Sequence, residues 1–127
     1  MPAQKPEQCD ELVIAAIENK DIDAAMELYE PGASFVVGGK FVTGLDEIRK
    51  VMESFIEAGA TFDIESIKAV PDADGEVAVT RVVGTSTSPG PDGKPVTNPF
   101  HSVEVVRKQA DGTWKFIIDD PGGDGIA

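Results

Sequence analysis

Residues 45–70 of the chain read LDEIRKVMESFIEAGATFDIESIKAV, and within them the spacing of the apolar residues changes. Up to Gly59 the apolar residues recur every three or four positions, which is the spacing of one helix face. After Gly59 apolar and polar residues alternate, as they do along a strand with one buried face. The stretch therefore predicts a helix that ends at Gly59 and a strand over 61–70. It separates a helical first half of the chain from a strand-rich second half.

Two further helices are predicted before this stretch. Apolar residues recur at helical spacing over 7–19, which indicates an amphipathic helix. Asp21 is a suitable cap for a second helix, and the apolar stripe of that helix runs to Tyr29. The second helix ends there because Pro31 and Gly32 cannot continue it.

A small β-hairpin and the start of the third helix are predicted next. Residues 33–37 and 40–42 are strand-like and flank a two-glycine turn, which is a common hairpin signal. Thr43 with Asp46 three positions later has the spacing of a capping box, in which each side chain bonds the backbone of the other residue. The third helix is therefore expected to follow the hairpin directly.

Four strands are predicted in the second half of the chain. They cover residues 61–70, 76–88, 96–109 and 113–119. The turns between them are short and rich in Pro, Asp and Gly, so neighbouring strands are expected to be antiparallel. Helices followed by such a meander predict an α+β fold, in which a curved antiparallel sheet forms a cone-shaped barrel around three helices.

Composition and charge restrict the class of protein. The chain has 127 residues, 41% of them apolar, which predicts a single domain over 1–127. Its ordered core is expected at about 7–121, with flexible ends at 1–6 and 122–127. The net charge of −12 argues against nucleic acid and membrane partners. The first residues lack the features of a signal peptide, so we expect a cytoplasmic protein.

The sequence carries no motif for a metal or a cofactor. One cysteine and one histidine are too few for a structural zinc site, and the aspartates do not have calcium-loop spacing. A phosphate-binding loop and a dinucleotide-binding fingerprint are also missing from the sequence. We therefore expect a protein that acts without a metal or a cofactor.

Three local runs resemble one known superfamily. They are KDIDAAMELY at 20–29, GLDEIR at 44–49 and DGTWKFIID at 111–119. With the order of the elements, they resemble the nuclear transport factor 2-like superfamily and its bacterial SnoaL-like and ketosteroid-isomerase-like branches. The resemblance implies a cone with an apolar pocket between the sheet and the helices. It also implies a homodimer that forms through the outer face of the sheet.

The same resemblance implies different chemistry at the positions that three enzyme groups of the superfamily use. Val37 and Val13 stand where ketosteroid isomerases have their general base and their oxyanion tyrosine, so that reaction is not expected. Arg81 lies on a strand, like the arginine of limonene epoxide hydrolase-like members, but the carboxylate that should flank it is missing. SnoaL-like polyketide cyclases place an acid-base aspartate on the last strand, where this chain has Asp119 and Asp120.

Arg81 and Thr85 are candidate ligand-binding residues. They share one face of the predicted strand 76–88 with three valines, and we expect this more apolar face to be the concave one. A guanidinium buried there needs an anion, which favours an acidic ligand or a protein carboxylate. The alternative is an exposed Arg81 at the strand end or in an ion pair on the sheet surface.

His101, the only histidine, is a candidate catalytic residue together with Asp119 or Asp120. A three-residue hairpin loop before the last strand would place His101 on the same face as Asp119, and a four-residue loop would place it with Asp120. A carboxylate beside an imidazole orients the ring, as in many acid-base pairs. In the alternative interpretation, His101 lies on a wet rim and the two aspartates only end the strand.

Tyr29 and Glu104 complete the candidate ligand-binding residues. Tyr29 ends the apolar stripe of the second helix, where it either packs in the core or bonds a ligand. Glu104 is a carboxylate on a strand, and the face on which it lies depends on the same hairpin register.

Three functions are compatible with these residues. The first is a cofactor-free enzyme of the cyclase, isomerase or hydrolase type that moves a proton on an apolar carbonyl compound. The second is a carrier that binds an apolar or acidic small molecule without changing it. The third is a dimeric interaction protein with an unused pocket. The polar residues predicted along the strands favour small-molecule binding in the pocket, with or without catalysis.

Overall fold

Residues 2–123 are described by the computed structural model, and they form helices and strands in the predicted order. The helices are α1 (Pro6–Glu18), α2 (Ile22–Met26) and α3 (Leu45–Glu57). The strands are β1 (Tyr29–Val37), β2 (Lys40–Thr43), β3 (Thr61–Pro71), β4 (Val77–Pro89), β5 (Pro95–Lys108) and β6 (Trp114–Asp120). From residue 124 onward, the C-terminal end that the sequence predicts to be flexible lies outside the described residues.

The strands form one six-stranded sheet in the order β2-β1-β6-β5-β4-β3. Strands β3 to β6 pair antiparallel with their neighbours in sequence, and so do β1 and β2. The pairing of β1 with β6 is parallel. The edge strands β2 and β3 are not neighbours, so the sheet curls around the helices without closing. The α+β cone fold is confirmed, although the barrel is open.

Two predictions at the ends of the helices are wrong. Tyr29 does not belong to α2 but opens β1, where it pairs with Phe116 of β6. Thr43 does not cap α3, because Gly44 occupies the cap position without a side-chain hydrogen bond. The Thr43 hydroxyl instead shares a 2.8 Å hydrogen bond with the hydroxyl of Ser34 across the hairpin. Within residues 2–123, no helix has the length and apolar character needed to cross a bilayer.

The inner face of β4 is the opposite of the predicted one. The buried residues of this strand are Ala78, Thr80, Val82 and Gly84. Arg81 is exposed and Thr85 is half-buried on the outer face. The small inner residues leave room for α1, which packs against β3, β4, β5 and β6. Because both faces of β4 are rich in apolar or small residues, the alternation alone does not show which face is inside.

The chain is anchored to the sheet before α1 begins. Ala3 is fully buried, and its carbonyl oxygen accepts a hydrogen bond of 2.9 Å from the backbone N–H of Trp114. The segment 1–6, assigned from the sequence to a flexible end, thus contains a residue that pairs with the start of β6.

Gly84 lies where β3 and β4 shift register between Ile64 and Ser66. A Cβ atom at Gly84 would collide with the carbonyl oxygen of Asp63 and would lie 3.2 Å from the Cα of Ile64. Both neighbours are backbone atoms, which cannot move without disturbing the strand pair. We therefore expect Gly84→Ala to lower the free energy of unfolding by about 1–3 kcal/mol in urea denaturation.

Gly32→Ala is the matched control for that substitution. Gly32 is also a strand glycine, but a Cβ atom there would meet nothing within 4 Å. The control should change the free energy of unfolding by no more than about 0.5 kcal/mol. Equal effects of the two substitutions would show that the close approach at Gly84 does not limit stability.

Candidate functional site

A cavity of about 90 Å³ lies between α1, α3 and the inner face of the sheet. Its walls are mostly apolar and come from both the helices and the strands. The apolar lining residues are Val13, Ile14, Ile17, Phe35, Met52, Phe55, Phe62, Val82, Phe100 and Pro121. We call this space the cone pocket.

The polar part of the cone pocket consists of three carboxyl side chains together with the hydroxyls of Tyr29 and Ser102. Asp10 comes from α1, Glu104 from β5 and Asp119 from β6, with exposed fractions of 2%, 3% and 7%. Glu104 and Asp119 lie side by side because the register of β5 and β6 pairs these two residues. Asp10 lies on the inner face of α1, on the same side as Val13 and Ile17. We call these three side chains the carboxyl group cluster.

Hydroxyl groups bond part of the carboxyl group cluster. The Tyr29 hydroxyl donates a 2.5 Å hydrogen bond to Oδ2 of Asp119, and both residues are buried. The Thr80 hydroxyl donates a 3.1 Å hydrogen bond to Oε1 of Glu104. Among the described residues, Oδ2 of Asp10 is the one buried side-chain oxygen or nitrogen atom that has no hydrogen-bond partner.

Burial changes the acidity of these carboxyl groups. Desolvation raises the pKa of Asp119 from 3.8 to about 7, against the hydrogen bond from Tyr29, which lowers it. Desolvation and the negative charge of Asp119 raise the pKa of Glu104 well above its usual range. Desolvation also raises the pKa of Asp10, while a hydrogen bond with Glu104 lowers it. The cluster therefore holds protons at neutral pH, where isolated carboxyl groups are ionised.

One comparison with known proteins decides the family. The family model of the SnoaL-like domain matches residues 11–117, which is most of the chain. The chain belongs to the SnoaL-like domain family. The family resemblance seen in the sequence is thereby confirmed. No curated protein matches the chain.

Solved structures of low sequence identity share the fold of this SnoaL-like domain. A provisionally named ketosteroid isomerase from Shewanella frigidimarina is 18% identical, with a TM-score of 0.77 over 88% of this chain and 90% of that chain. A provisionally named dehydratase of the NTF2-like family from Streptomyces avermitilis is 17% identical, with a TM-score of 0.76 over 88% of both chains. A provisionally named calcium/calmodulin-dependent protein kinase II association domain from Xanthomonas campestris is 21% identical, with a TM-score of 0.74 over 87% of this chain and 79% of that chain. At such identities these likenesses show the fold alone.

Three residues that the sequence analysis selects lie together in the cone pocket of the SnoaL-like domain. They are Tyr29, Glu104 and Asp119. Tyr29 is completely buried, but it reaches the pocket from the start of β1 rather than from a helix. Asp119 and Glu104 face inward together because of the β5–β6 register, which the sequence left open.

The other selected residues lie on the outer face of the sheet. His101 is exposed and lines a shallow groove there with Arg81 and Val103. The register pairs Val103 with Asp120, so His101 shares its face with Asp120 and not with Asp119. The expectation that Arg81 and Thr85 face the cone is wrong, whereas of the two alternatives for His101 the structure has the one with Asp120, on the outer face. Catalytic and ligand-binding roles of these outer residues stay predictions.

Two polar pocket residues, Ser102 and Asp10, are not predicted from the sequence, and Asp10 is the one with a carboxyl group. Its signal is an acid placed three residues before Val13 and seven before Ile17, on the apolar stripe of α1. An acid on the buried stripe of a helix is a departure from the amphipathic pattern, and such departures often mark function. Within residues 2–123, no set of three or more His, Cys, Asp or Glu side chains is arranged to hold a metal ion.

The raised pKa of Asp119 predicts a stability that depends on pH. The unfolded chain ionises this group near pH 4, whereas the folded protein keeps its proton up to about pH 7. Stability is therefore lost as the pH rises between these two values. Asp119→Asn removes the ionisation but keeps an acceptor for Tyr29. Its free energy of unfolding, taken relative to that of the wild type, should therefore rise by about 2–3 kcal/mol from about pH 5 to about pH 8.5.

Chemical denaturation at the two pH values measures this gain, and Asp63→Asn serves as its control. Asp63 is exposed on β3, so its substitution changes the net charge equally without touching the cone pocket. The control should give the same difference from the wild type at both pH values. If Asp119→Asn also behaved in this way, Asp119 would not be a proton-holding group in the folded protein.

Proposed function

We propose that this SnoaL-like domain binds a small apolar molecule in the cone pocket and moves a proton on it without a cofactor. Cyclisation, isomerisation and hydrolysis all require such a step. The observation that carries the proposal is the buried hydrogen bond between Tyr29 and Asp119 at the wall of an apolar cavity. It holds a carboxyl group in one orientation, facing space that a ligand can fill.

Asp119 has the properties of the group that takes and returns the proton. Its pKa of about 7 means that both its protonated and its ionised forms are present at neutral pH. A general base works best when its pKa lies close to the working pH. Tyr29 acts as a positioning residue, because its hydroxyl bonds one carboxyl oxygen and leaves the other for the ligand.

Glu104 has the properties of a hydrogen-bond donor. Burial and the neighbouring carboxyl groups keep it protonated at neutral pH, so it carries an O–H donor, which bonds Asp10 in the free protein and for which a ligand oxygen would compete. A neutral carboxylic acid in an apolar site stabilises negative charge that develops on a substrate oxygen. The Thr80 hydroxyl bonds Oε1 of Glu104 and fixes the orientation of that side chain.

This arrangement differs from the one that the resemblance implies for ketosteroid isomerases. Val13 lines the cone pocket with an apolar side chain, and Val37 is 41% exposed and is not among the residues that line the pocket. The base and the acid of the proposed reaction are therefore on β6 and β5 rather than at these two positions. The ketosteroid isomerase activity itself is not part of the proposal.

A proton-transfer probe tests this function without knowledge of the natural substrate. In 5-nitrobenzisoxazole a base removes the proton from C3, the N–O bond breaks, and a coloured cyanophenolate is released. We expect saturable acceleration of this reaction, with a rate that rises with pH through about 7 as Asp119 ionises. Asp119→Asn should reduce the rate about 100-fold, as measured by absorbance.

Two further variants assign the effect to Asp119. Asp63→Asn should keep the full rate, because Asp63 lies outside the cone pocket. Tyr29→Phe removes a hydrogen bond that stabilises the Asp119 carboxylate, so the midpoint of the pH profile should move upward. Saturable binding without acceleration in the wild type would instead identify a carrier that does not catalyse proton transfer.

We also propose that the protein forms a homodimer through the outer face of the sheet. Cross-strand pairing aligns Val70, Val79, Val105 and Ile118 in one row across β3, β4, β5 and β6. Val70 is 67% exposed and Ile118 is 43% exposed, so the row is an apolar strip open to solvent. Such strips commonly mark an interface.

Size-exclusion chromatography with light scattering tests the dimer. The wild type should elute as a dimer, and Ile118→Lys should shift it to monomer, because a buried charge without a partner destabilises an interface. Phe41→Lys is the control, since Phe41 is 69% exposed but lies on β2, outside the row. A monomeric wild type would remove the proposed interface.

A further inference from the structure

Asp10 carries a carboxyl oxygen that lacks a donor. Its Oδ2 has no hydrogen-bond partner among residues 2–123. Water does not supply one readily, because the residue is only 2% exposed. A buried polar atom without a partner destabilises a folded protein. Asp10 lines the cone pocket, so a molecule in the pocket is well placed to supply the missing donor.

Once its carboxyl groups are ionised, the rest of the carboxyl group cluster also offers more acceptors than the pocket has donors. The hydroxyls of Tyr29, Thr80 and Ser102 are already used: the first bonds Asp119, and the other two bond Glu104. None of the described residues that line the cone pocket is a lysine, arginine or histidine. A ligand that fits this wall must therefore bring hydrogen-bond donors, and a positive charge fits it best.

The apolar walls of the cone pocket suit the apolar part of such a ligand. Phe35, Phe55, Phe62 and Phe100 line the cone pocket. The Phe62 and Phe100 rings meet edge to face, with centroids 6.0 Å apart. Aromatic faces attract both hydrocarbon and cations. The net charge of −12 adds a long-range attraction for cations and a repulsion of anions.

We infer that the cone pocket selects a small lipophilic primary amine in its protonated form, with the ammonium group at Asp10, Glu104 and Asp119 and the hydrocarbon part against the phenylalanines. The inference rests on the proposed binding function of the pocket and names its ligand class. An ammonium group has three N–H donors, which matches a site that has unused carboxyl oxygens.

The other two ligand classes fit the cone pocket less well. An acidic ligand would place a second negative charge beside the carboxyl group cluster, and the cation expected for it, Arg81, is exposed on the outer face. A neutral alcohol offers a single donor and no charge, so it leaves part of the cluster unpaired. An acidic ligand is therefore no longer favoured.

Amine binding should release protons from the protein. The titratable side chains that line the cone pocket are Asp10 from α1, Tyr29 from β1, Glu104 from β5 and Asp119 from β6. The side chains that line the cone pocket from α3, β3 and β4 are not titratable. A cation favours the ionised form of a nearby carboxyl group, so a carboxyl group that is neutral in the free protein loses its proton on binding.

Three probes of similar shape test the ligand class: benzylamine, benzyl alcohol and benzoate. We expect benzylamine to bind at least about tenfold more tightly than benzyl alcohol at neutral pH, and benzoate to bind more weakly than both. Calorimetry in buffers of different ionisation enthalpy should show proton release with benzylamine and none with benzyl alcohol. Methyl NMR shifts of Ile14 and Ile17, which line the pocket, locate the probes.

Variants separate contact with the cluster from attraction by the overall charge. Asp10→Asn should weaken benzylamine binding about tenfold and leave benzyl alcohol binding unchanged. Asp63→Asn removes the same charge outside the cone pocket and should leave both unchanged. Glu104→Gln tests the same contact if Asp10→Asn does not fold.

The outcomes distinguish the ligand class from the binding function. Equal affinity for benzylamine and benzyl alcohol, or tighter binding of benzoate, overturns the amine inference and leaves small-molecule binding in place. Equal loss of benzylamine affinity in Asp10→Asn and Asp63→Asn also overturns it, because the charge would then act at long range. If no probe moves the Ile14 and Ile17 signals, both the ligand class and the proposed binding function fail.

Discussion

Two carboxyl groups that cannot both ionise in an apolar space form the constraint on which the rest of this structure depends. The β5–β6 register pairs Glu104 with Asp119, and α1 brings Asp10 to the same wall. Separation from water makes each negative charge unfavourable, and each charge opposes the next. The hydroxyls of Tyr29 and Thr80 stabilise part of this arrangement. The rest of the stabilisation comes from bound protons, which neutralise the carboxyl groups.

Most of the fold follows from local sequence patterns. The change of period at Gly59 and the short turns between the later strands act over a few residues, and they predict the order of elements correctly. The main error in the predicted elements occurs where pairing with a residue distant in sequence determines the local structure. Tyr29 continues the helical spacing of α2 but pairs with Phe116 on a strand far away in sequence. Local spacing contains no information about that partner.

The candidate site is predictable only in part, because side chains alternate between the two faces of a strand. Tyr29, Glu104 and Asp119 are selected from the sequence by their chemistry, and the structure brings them together. His101 and Arg81 lie on the other face, since a shift of one residue in register or in the choice of face reverses every side chain. Asp10 is not predicted as a pocket residue, because the buried face of α1 is inferred from its apolar residues alone.

The place of β6 in the sheet has a consequence for how the protein is made. β6 is the last strand of the chain, yet it lies in the middle of the sheet, between β1 and β5. During synthesis the β1–β2 hairpin and the β3–β5 meander emerge first, and no strand of one pairs with a strand of the other. Only the arrival of β6 joins them, and the bond between Tyr29 and Asp119 spans 90 positions. Such non-local pairing slows folding, and the sheet wall that carries Asp119 is complete only once β6 has paired.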